Sequence, residues 1–257
     1  MVWQLLYNLI FIPLGWIGFR LYGLVNRKAR VGIRGRAGLF DRLARDVERL
    51  APGARRIWFH SSSMGEFEQA KPIIAEIKRR APATQVIVTF FSPSGYENSL
   101  KYGLASIIAY IPFDSRANAE RFVATVRPDA AIMVRYDVWP NHLWALRRHG
   151  VPVFIANATL RPSTVRDLPL LRQFHRAMYN ALDGILTVSE ADRSVFATYG
   201  LDHPMLAVMG DTRYDQVRAR LNAPKPIKHK LFQPHDEIPA GTPILIAGST
   251  WPEDEAV

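Results

Sequence analysis

Seven short apolar runs, each followed by a segment of helical period, constrain the fold of this 257-residue chain more than any other feature. Strands buried on both faces of a parallel sheet are continuously apolar, because helices cover the sheet on both sides. The predicted strands are residues 56–60, 85–91, 107–111, 130–134, 151–156, 184–188 and 205–209. The pattern predicts an α/β fold with a doubly wound, Rossmann-like parallel sheet. In such a sheet, ligands bind beyond the carboxyl ends of the strands.

Helices are expected between the predicted strands, and several residues suggest where they begin and end. A helix from about 67 to 80 follows the first strand. Asp114 or Ser115 could cap the helix that runs toward Val126. Gly150 and Gly200 stand where helices should stop.

The amino-terminal segment combines an uncharged stretch with a basic flank. Residues 2–19 carry no charge, and the chain has a formal net charge of +10. Six basic residues and no acid lie in residues 20–36: Arg20, Arg27, Lys28, Arg30, Arg34 and Arg36. Membrane attachment through residues 1–36 explains both features, whereas nucleic-acid binding explains only the charge. The basic flank predicts that the rest of the chain lies on the cytoplasmic side.

The mode of attachment stays open at the level of sequence. A spanning helix needs about 20 apolar residues, and this stretch is at the short end of that length. Gln4, Asn8 and Pro13 weaken a spanning helix further, so a helix that lies on the membrane is an alternative. An ordinary helix buried in a soluble domain is the third possibility.

Composition divides the rest of the chain. Residues 37–221 carry the alternating pattern and form one predicted Rossmann-like domain. Residues 222–243 contain five prolines and several charges, which is typical of a linker. Residues 244–257 begin with a new apolar strand and a Gly-Ser-Thr turn, so we expect a second α/β domain to start there.

Candidate functional residues follow two of the predicted strands. Glu66 lies after the first strand, where a helix amino terminus favours negative charge. The simpler interpretation is that Glu66 only complements the helix dipole. Arg135 and Asp137 follow the fourth strand. The simpler interpretation there is a surface ion pair, with Trp139 and Trp144 in the core.

Several kinds of chemistry have no support in the sequence. The chain has no cysteine, and its seven histidines show no metal-binding spacing. It has no glycine-rich dinucleotide or P-loop motif. We therefore expect no metal and no cofactor.

Eight segments, in order along the chain, form a recognisable set of motifs. They are residues 60–66 (HSSSMGE), 88–95 (VTFFSPSG), 110–114, 137–141, 156–158, 189–192, 210–215 and 247–250. Together they resemble the 3-deoxy-D-manno-octulosonic acid (Kdo) transferases of lipopolysaccharide synthesis. Residues 60–66 resemble that family's His-x-x-Ser-x-Gly-Glu motif, and residues 88–95 are similar to its Thr-x-x-(Thr/Ser)-Pro-(Thr/Ser)-Gly element. Ordered elements of this kind are far more specific than any single motif.

The resemblance implies a GT-B fold, in which two Rossmann-like domains face each other across a cleft behind a membrane anchor. It implies an inverting, metal-independent transfer of Kdo from CMP-Kdo to the lipid A precursor, lipid IV(A), at the cytoplasmic face of the inner membrane. The amino-terminal domain would hold the acceptor and the carboxyl-terminal domain most of the donor.

The resemblance also implies roles for individual residues. Glu66 would be the general base, Arg213 would stabilise phosphate charge, and Asp137 would be a supporting carboxylate. The acceptor-binding candidates are Ser63, Gly65, Ser92, Pro93, Ser94 and Gly95, and the donor-binding candidates are Gly248, Ser249 and Thr250.

The chain departs from the family pattern at three positions. Arg135 stands where many members have a glutamate, Thr159 where arginine is usual, and Trp251 where the family has histidine. A second hypothesis therefore accompanies the transferase: a catalytically silent, truncated module that binds the lipid A precursor without transferring sugar.

Overall fold

The seven predicted strands are all present in a computed structural model, which describes residues 2–135, 137–161 and 165–222. They are β1 (Arg56–Ser61), β2 (Gln85–Phe90), β3 (Ile107–Tyr110), β4 (Ala130–Val134), β5 (Val153–Ala158), β6 (Gly184–Thr187) and β7 (Met205–Val208). Every neighbouring pair is parallel, and the order across the sheet is β3-β2-β1-β4-β5-β6-β7. The predicted doubly wound α/β sheet is confirmed.

Helices connect the strands and cover both faces of the sheet. They are α1 (Val2–Leu6), α2 (Ile12–Val25), α3 (Arg27–Gly35), α4 (Leu39–Glu48), α5 (Met64–Arg80), α6 (Pro93–Ser99), α7 (Arg116–Val126), α8 (Pro140–Arg148), α9 (Pro169–Tyr179), α10 (Glu190–Ala197) and α11 (Thr212–Asn222). A π-helical turn, Tyr7–Phe11, joins α1 to α2, and a short 3₁₀ turn, Val165–Asp167, precedes α9.

The core lies on the two faces of the sheet. Trp58 of β1 packs with Phe122 of α7 in one cluster, at 4.7 Å between ring centroids. Phe59, the next residue, points to the other face and joins a cluster with Phe67 of α5 and Phe90 of β2. Alternation of this kind explains why β1 is apolar over both positions.

Serine caps and left-handed glycines set the helix ends. The hydroxyl of Ser115 accepts the backbone N–H of Asn118, so Ser115 rather than Asp114 caps α7. Gly150 and Gly200 have φ of +67° and +59° and lie two and three residues after the ends of α8 and α10, as expected for residues that end helices. Helix α5 begins at Met64, three residues earlier than the sequence suggested.

Asp114 caps a different helix, α8. Its carboxylate is fully buried and accepts the backbone N–H groups of Asn141 and His142, each at 3.1 Å. It also contacts His142 Nδ1 at 2.6 Å. Helix α8 begins with Trp139 and Pro140, which provide no side-chain cap, so Asp114 supplies the missing acceptor from across the fold.

The amino-terminal helix, Val2–Val25, comprises α1, the π-helical turn and α2. Within the described residues it is the one helix that is long and apolar enough to cross a membrane, with a mean hydropathy of 1.4 over its most apolar window. None of that window is buried inside the protein, which argues against a helix of the soluble core.

The chain divides into two compact units, residues 1–219 and 220–257. The second lies almost wholly outside the described residues, as do the linker predicted at 222–243 and the strand predicted at 244–247, apart from Asn222 of α11.

Close packing between α6 and β2 provides a test of the fold. A Cβ atom at Gly95 would lie 2.6 Å from Cδ1 of the fully buried Phe90 ring. We expect Gly95→Ala to destabilise the protein by about 1–3 kcal/mol, the usual cost of overpacking. Gly103→Ala is the matched control, because no atom lies within 4 Å of its added Cβ. Thermal unfolding followed by circular dichroism measures both, and equal melting temperatures for the two variants would contradict the packing described.

Candidate active site

The candidate site lies at the point where the strand order reverses. β1 pairs with β2 on one side and with β4 on the other, so the loops that follow β1 and β4 diverge from one position at the carboxyl edge. Open α/β sheets bind ligands in this crevice. Glu66 follows β1, and Asp137 follows β4.

Ser63 and Glu66 form a capping box at the start of α5. The Ser63 hydroxyl accepts the Glu66 N–H at 3.4 Å, and Glu66 Oε2 accepts the Ser63 N–H at 3.0 Å. Glu66 is only 6% exposed. The helix-dipole interpretation of Glu66 is therefore correct as far as it goes, because this carboxylate does stabilise the helix. One of its oxygens is fixed by that bond, which holds the group at the carboxyl edge.

The surroundings of Glu66 make it a stronger base. Burial raises its pKa above the ordinary value, and the negative charge of Asp137 raises it further. The backbone N–H groups of Ser63 and Ser62 and the nearby His60 lower it, by a smaller amount. Raised carboxyl pKa values of this kind are typical of groups that accept a proton in catalysis.

His60 links the two loops. The Trp139 indole N–H donates to His60 Nε2 at 2.9 Å, and Asp137 Oδ2 lies 3.2 Å from the same nitrogen. His60 Nδ1 lies 2.9 Å from Thr89 Oγ1. Because the His60 side chain is fully buried in β1, these contacts hold the loop of Asp137 against the carboxyl end of β1. The structure thus brings Glu66 and Asp137 into one site.

Arg135 has an unusual backbone conformation. Its φ of +68° lies in the left-handed region, although it is not glycine, and its N–H donates to the carbonyl of Ala156. Strain of this kind is found mainly where the surrounding structure needs a sharp change of direction, often at functional sites. Here it turns the chain out of β4 and toward Asp137.

The loop that precedes α6 borders the same site. Ser92 caps α6 by accepting the Gly95 N–H, with Pro93 in the first turn, and the Ser92 N–H donates to the Ser62 carbonyl at 2.9 Å. The hydroxyl of Ser92 is therefore used for structure. Gly65 and Ser94 are exposed at the starts of α5 and α6.

A second cluster of polar side chains surrounds Arg213 at the start of α11. Asn157 Oδ1 accepts the Thr212 N–H, and the Thr212 hydroxyl donates to the Gln69 carbonyl in α5. Asp211 binds Arg213 through Nε and Nη2, at 2.8 and 2.6 Å, and accepts a bond from the Gln69 amide. Arg213 lowers the pKa of Asp211, mainly through these hydrogen bonds. Since Gln69 lies one turn after Glu66, helix α5 connects the cluster around Arg213 to the site around Glu66.

The sequence predictions gave no role to Asn157, Gln69 or Asp211. Asn157 sits at an irregularity of β5 with φ +54°, and its fully buried amide Nδ2 has no partner in the described residues. A polar residue at the end of an apolar strand was the available signal for Asn157. Gln69 could have been found from its helical spacing to Glu66.

The predicted donor contacts and the metal-ligand search concern other parts of the chain. Gly248, Ser249 and Thr250 lie outside the described residues. Within the ranges 2–135, 137–161 and 165–222, no cluster of three or more His, Asp or Glu side chains suits a metal ion.

The charge of Asp137 makes a testable contribution to the pKa of Glu66. In Asp137→Asn the carboxyl pKa of Glu66 should fall, because the neutral amide no longer opposes deprotonation of Glu66. Asp46→Asn on α4, which removes an exposed carboxylate paired with Arg49, should leave the pKa of Glu66 unchanged. Titration of ¹³C-labelled glutamate carboxyls by NMR measures both, and a Glu66 pKa that stays constant or rises in Asp137→Asn would refute the coupling.

Comparison with solved structures supports the fold alone. UDP-GlcNAc 2-epimerase from Neisseria meningitidis is 16% identical, with a TM-score of 0.50 over 65% of this chain and 50% of that one. UDP-N-acetylglucosamine 2-epimerase from Rickettsia bellii is 14% identical, with a TM-score of 0.51 over 66% of this chain and 48% of that one.

Comparison with curated proteins and families identifies a relationship. The chain is 26% identical to the 3-deoxy-D-manno-octulosonic acid transferase of Haemophilus influenzae, over 80% of this chain and 48% of that protein. It is 25% identical to the enzyme of the same name from Chlamydophila psittaci, over 78% and 46%. The chain spans about half the length of the curated relatives it matches. The sequence profile described as 3-deoxy-D-manno-octulosonic-acid transferase (kdotransferase) matches residues 32–216, which include Glu66, Asp137 and Arg213, and the chain therefore belongs to this family.

Proposed function

We propose that this chain is the acceptor-binding half of a GT-B glycosyltransferase that moves Kdo from CMP-Kdo to the lipid A precursor, with Glu66 as the general base. The observation that carries the proposal is the buried Glu66 carboxylate, with its raised pKa, at the strand-order reversal. Family membership supports the same reaction.

The proposed chemistry is a single displacement with inversion. An acceptor hydroxyl oxygen forms a bond to the anomeric carbon of Kdo while the bond from that carbon to the CMP phosphate oxygen breaks. The hydroxyl proton passes to Glu66, and the bonding electrons leave with CMP. A carboxylate that keeps one oxygen fixed by the Ser63 N–H has its other oxygen available for this proton.

Asp137 acts in this scheme as a positioning residue. Its negative charge raises the pKa of Glu66, while the bond from Trp139 to His60 holds the loop after β4 in place. Arg135, which replaces a family acid, turns that loop toward the site through its left-handed backbone.

Arg213 is proposed to stabilise the developing charge on the CMP phosphate. Its guanidinium is 59% exposed, while Asp211 fixes its orientation from a position only 6% exposed. An arginine held at one end and open at the other is well suited to bind a phosphate.

Acceptor contacts are proposed at the starts of α5 and α6. The hydroxyls of Ser63 and Ser92 already accept helix N–H groups. The exposed Gly65 and Ser94 are thus the members of the predicted set that remain open to a sugar phosphate. Pro93 and Gly95 shape the first turn of α6. Gly248, Ser249 and Thr250 remain the proposed donor contacts.

The amino-terminal helix and its basic flank are proposed to attach the protein to the cytoplasmic face of the inner membrane. Val2–Val25 is a long apolar helix, and the first acidic residue of the chain is Asp41. The acceptor is itself a lipid, so attachment would bring enzyme and acceptor to the same surface.

Glu66→Gln tests the base directly. Glutamine still accepts the Ser63 N–H, so the capping box and the fold should survive. Transfer should fall by roughly 10²- to 10⁴-fold, the usual contribution of general base catalysis. The measurement is Kdo transfer from CMP-Kdo to the tetra-acylated lipid A precursor, using the complete gene product that contains these residues.

Glu76→Gln is the matched control, because Glu76 lies on the same helix and pairs only with the exposed Arg79 and Arg80 in the described contacts. It should transfer Kdo normally. Normal turnover in Glu66→Gln would exclude Glu66 as the base. An inactive complete protein that still binds the precursor would favour the silent-module hypothesis.

Residues 1–257 on their own should bind the lipid A precursor without transferring Kdo, and should have little affinity for CMP. In the proposed enzyme, donor and acceptor are held together between two domains. One domain alone cannot hold both, so the rate advantage of their proximity is lost. Calorimetric titration with each ligand and the transfer assay test this. Substantial turnover by residues 1–257 would contradict the two-domain proposal.

A further inference from the structure

One face of the amino-terminal helix, Val2–Val25, contacts the globular domain along most of its length. Near its start, Trp3 packs edge-on against Phe174 of α9, at 5.8 Å between ring centroids. Farther along, Phe19 packs against Phe91 at 5.4 Å and Phe113 at 6.5 Å. The helix therefore lies along the domain and does not project away from it.

Two polar side chains of the helix are hydrogen bonded to the domain. The Tyr7 hydroxyl donates to Asp114 Oδ2 at 2.9 Å, and the amides of Asn8 and Asn141 exchange bonds at 2.9 and 3.0 Å. We call these four residues the polar latch. Asp114 is fully buried and Asn141 is 1% exposed, so the domain side of the latch is shielded from water, while Tyr7 and Asn8 are half-buried.

The latch is incompatible with a helix that crosses a bilayer. Crossing would pull Tyr7 and Asn8 away from Asp114 and Asn141 and carry their polar groups into hydrocarbon, where unpaired hydrogen-bonding groups are costly. It would also leave the fully buried Asp114 carboxylate without the Tyr7 donor. The π-helical turn, Tyr7–Phe11, begins at the latch.

Away from these contacts the helix has a long apolar surface. Its exposed side chains include Leu5, Leu9, Leu14, Leu21 and Leu24, which are 59–70% exposed. An exposed apolar surface of this extent marks an interaction site. Trp16, at the border with the domain, and Tyr22 are exposed as well, and both residue types favour the boundary between lipid and water.

The charges beside this apolar surface select its partner. Five exposed basic residues lie at the end of the helix and on α3: Arg20, Arg27, Lys28, Arg30 and Arg34. No acidic residue occurs before Asp41. An apolar stripe bordered by cations fits the acyl chains and anionic headgroups of a phospholipid surface.

We propose that the amino-terminal helix lies in the plane of an anionic phospholipid surface, locked to the domain by the polar latch, and does not cross the bilayer. Its start and its end are then on the same side of the membrane as the domain.

This placement of the helix sets the position of the candidate site relative to the membrane surface. Phe19 packs on Phe91, which packs on Trp139 at 5.0 Å, and Trp139 donates to His60. The helix thus lies beside the carboxyl edge that holds Glu66. This step rests on the proposed function: a lipid-borne sugar would reach Glu66 directly from the headgroup layer.

Cysteine cross-linking tests the latch in the membrane, since the native chain has no cysteine. In the intact chain, the pair Trp3→Cys and Phe174→Cys leaves the latch intact and replaces two rings that lie 5.8 Å apart. A short bifunctional thiol reagent should join this pair on phosphatidylethanolamine–phosphatidylglycerol vesicles. The control pair, Leu14→Cys with Phe174→Cys, should not be joined, because Leu14 lies on the exposed face. A first pair that cross-links in detergent but not on vesicles would overturn the proposal.

Depth measurements test the orientation independently. Single cysteines at Leu5, Leu14 and Leu24, each labelled with a fluorophore, should be quenched to a similar, shallow depth by brominated lipids. A crossing helix would instead be deepest at position 14 and shallow at 5 and 24, and that profile would refute the in-plane placement. Lys101→Cys, exposed on the domain, should show no quenching.

The choice of lipid is tested by the same labelled proteins. Binding should weaken on phosphatidylcholine vesicles and at high salt, because the five basic side chains lose their anionic partners. Equal binding to both kinds of vesicle would contradict the role of the basic flank. None of these three assays measures transfer, so the placement and the proposed function can fail separately.

Discussion

The parallel pairing of β1 with β4 is the constraint on which the candidate site depends. Four residue pairs join these strands, from Ile57 with Ala130 to His60 with Met133. Because the chain runs outward in opposite directions from this pair, the loop before α5 and the loop before α8 meet with no strand between them. Glu66, in its capping box, and Asp137, beside His60, then face the same crevice, although their positions are far apart in sequence.

Asp114 connects that crevice to the amino-terminal helix. One buried carboxylate accepts the first N–H groups of α8, which fixes the loop of Trp139, and also accepts the Tyr7 hydroxyl. A charge buried at 0% exposure is tolerated only when it is fully hydrogen bonded. The amino-terminal helix and the crevice of Glu66 are therefore positioned by the same group, as the proposed lipid-borne acceptor would require.

Local patterns carried most of the fold prediction, while contacts between distant segments did not. Continuous apolar runs located all seven strands, and the position of Glu66 after the first of them located it at the start of a helix. Asp114 looked like a cap for the next helix, but its partners are 27 and 28 residues later and 107 residues earlier. The bond from Asn157 to Thr212 spans 55 residues. Hydrophobic periodicity along the sequence does not predict such pairs, because the fold, and not local spacing, brings these residues together.

The central proposal is that the acceptor binds at the carboxyl edge of the sheet, around Glu66. Amide hydrogen exchange with and without the tetra-acylated lipid A precursor tests this most directly. The account predicts slower exchange at residues 62–66, 92–96 and 139–142 when the precursor is added to the intact protein, and no change at residues 127–130 and 150–153 at the opposite edge. Protection confined to the opposite edge, or no protection under conditions where the precursor is bound, would contradict the account.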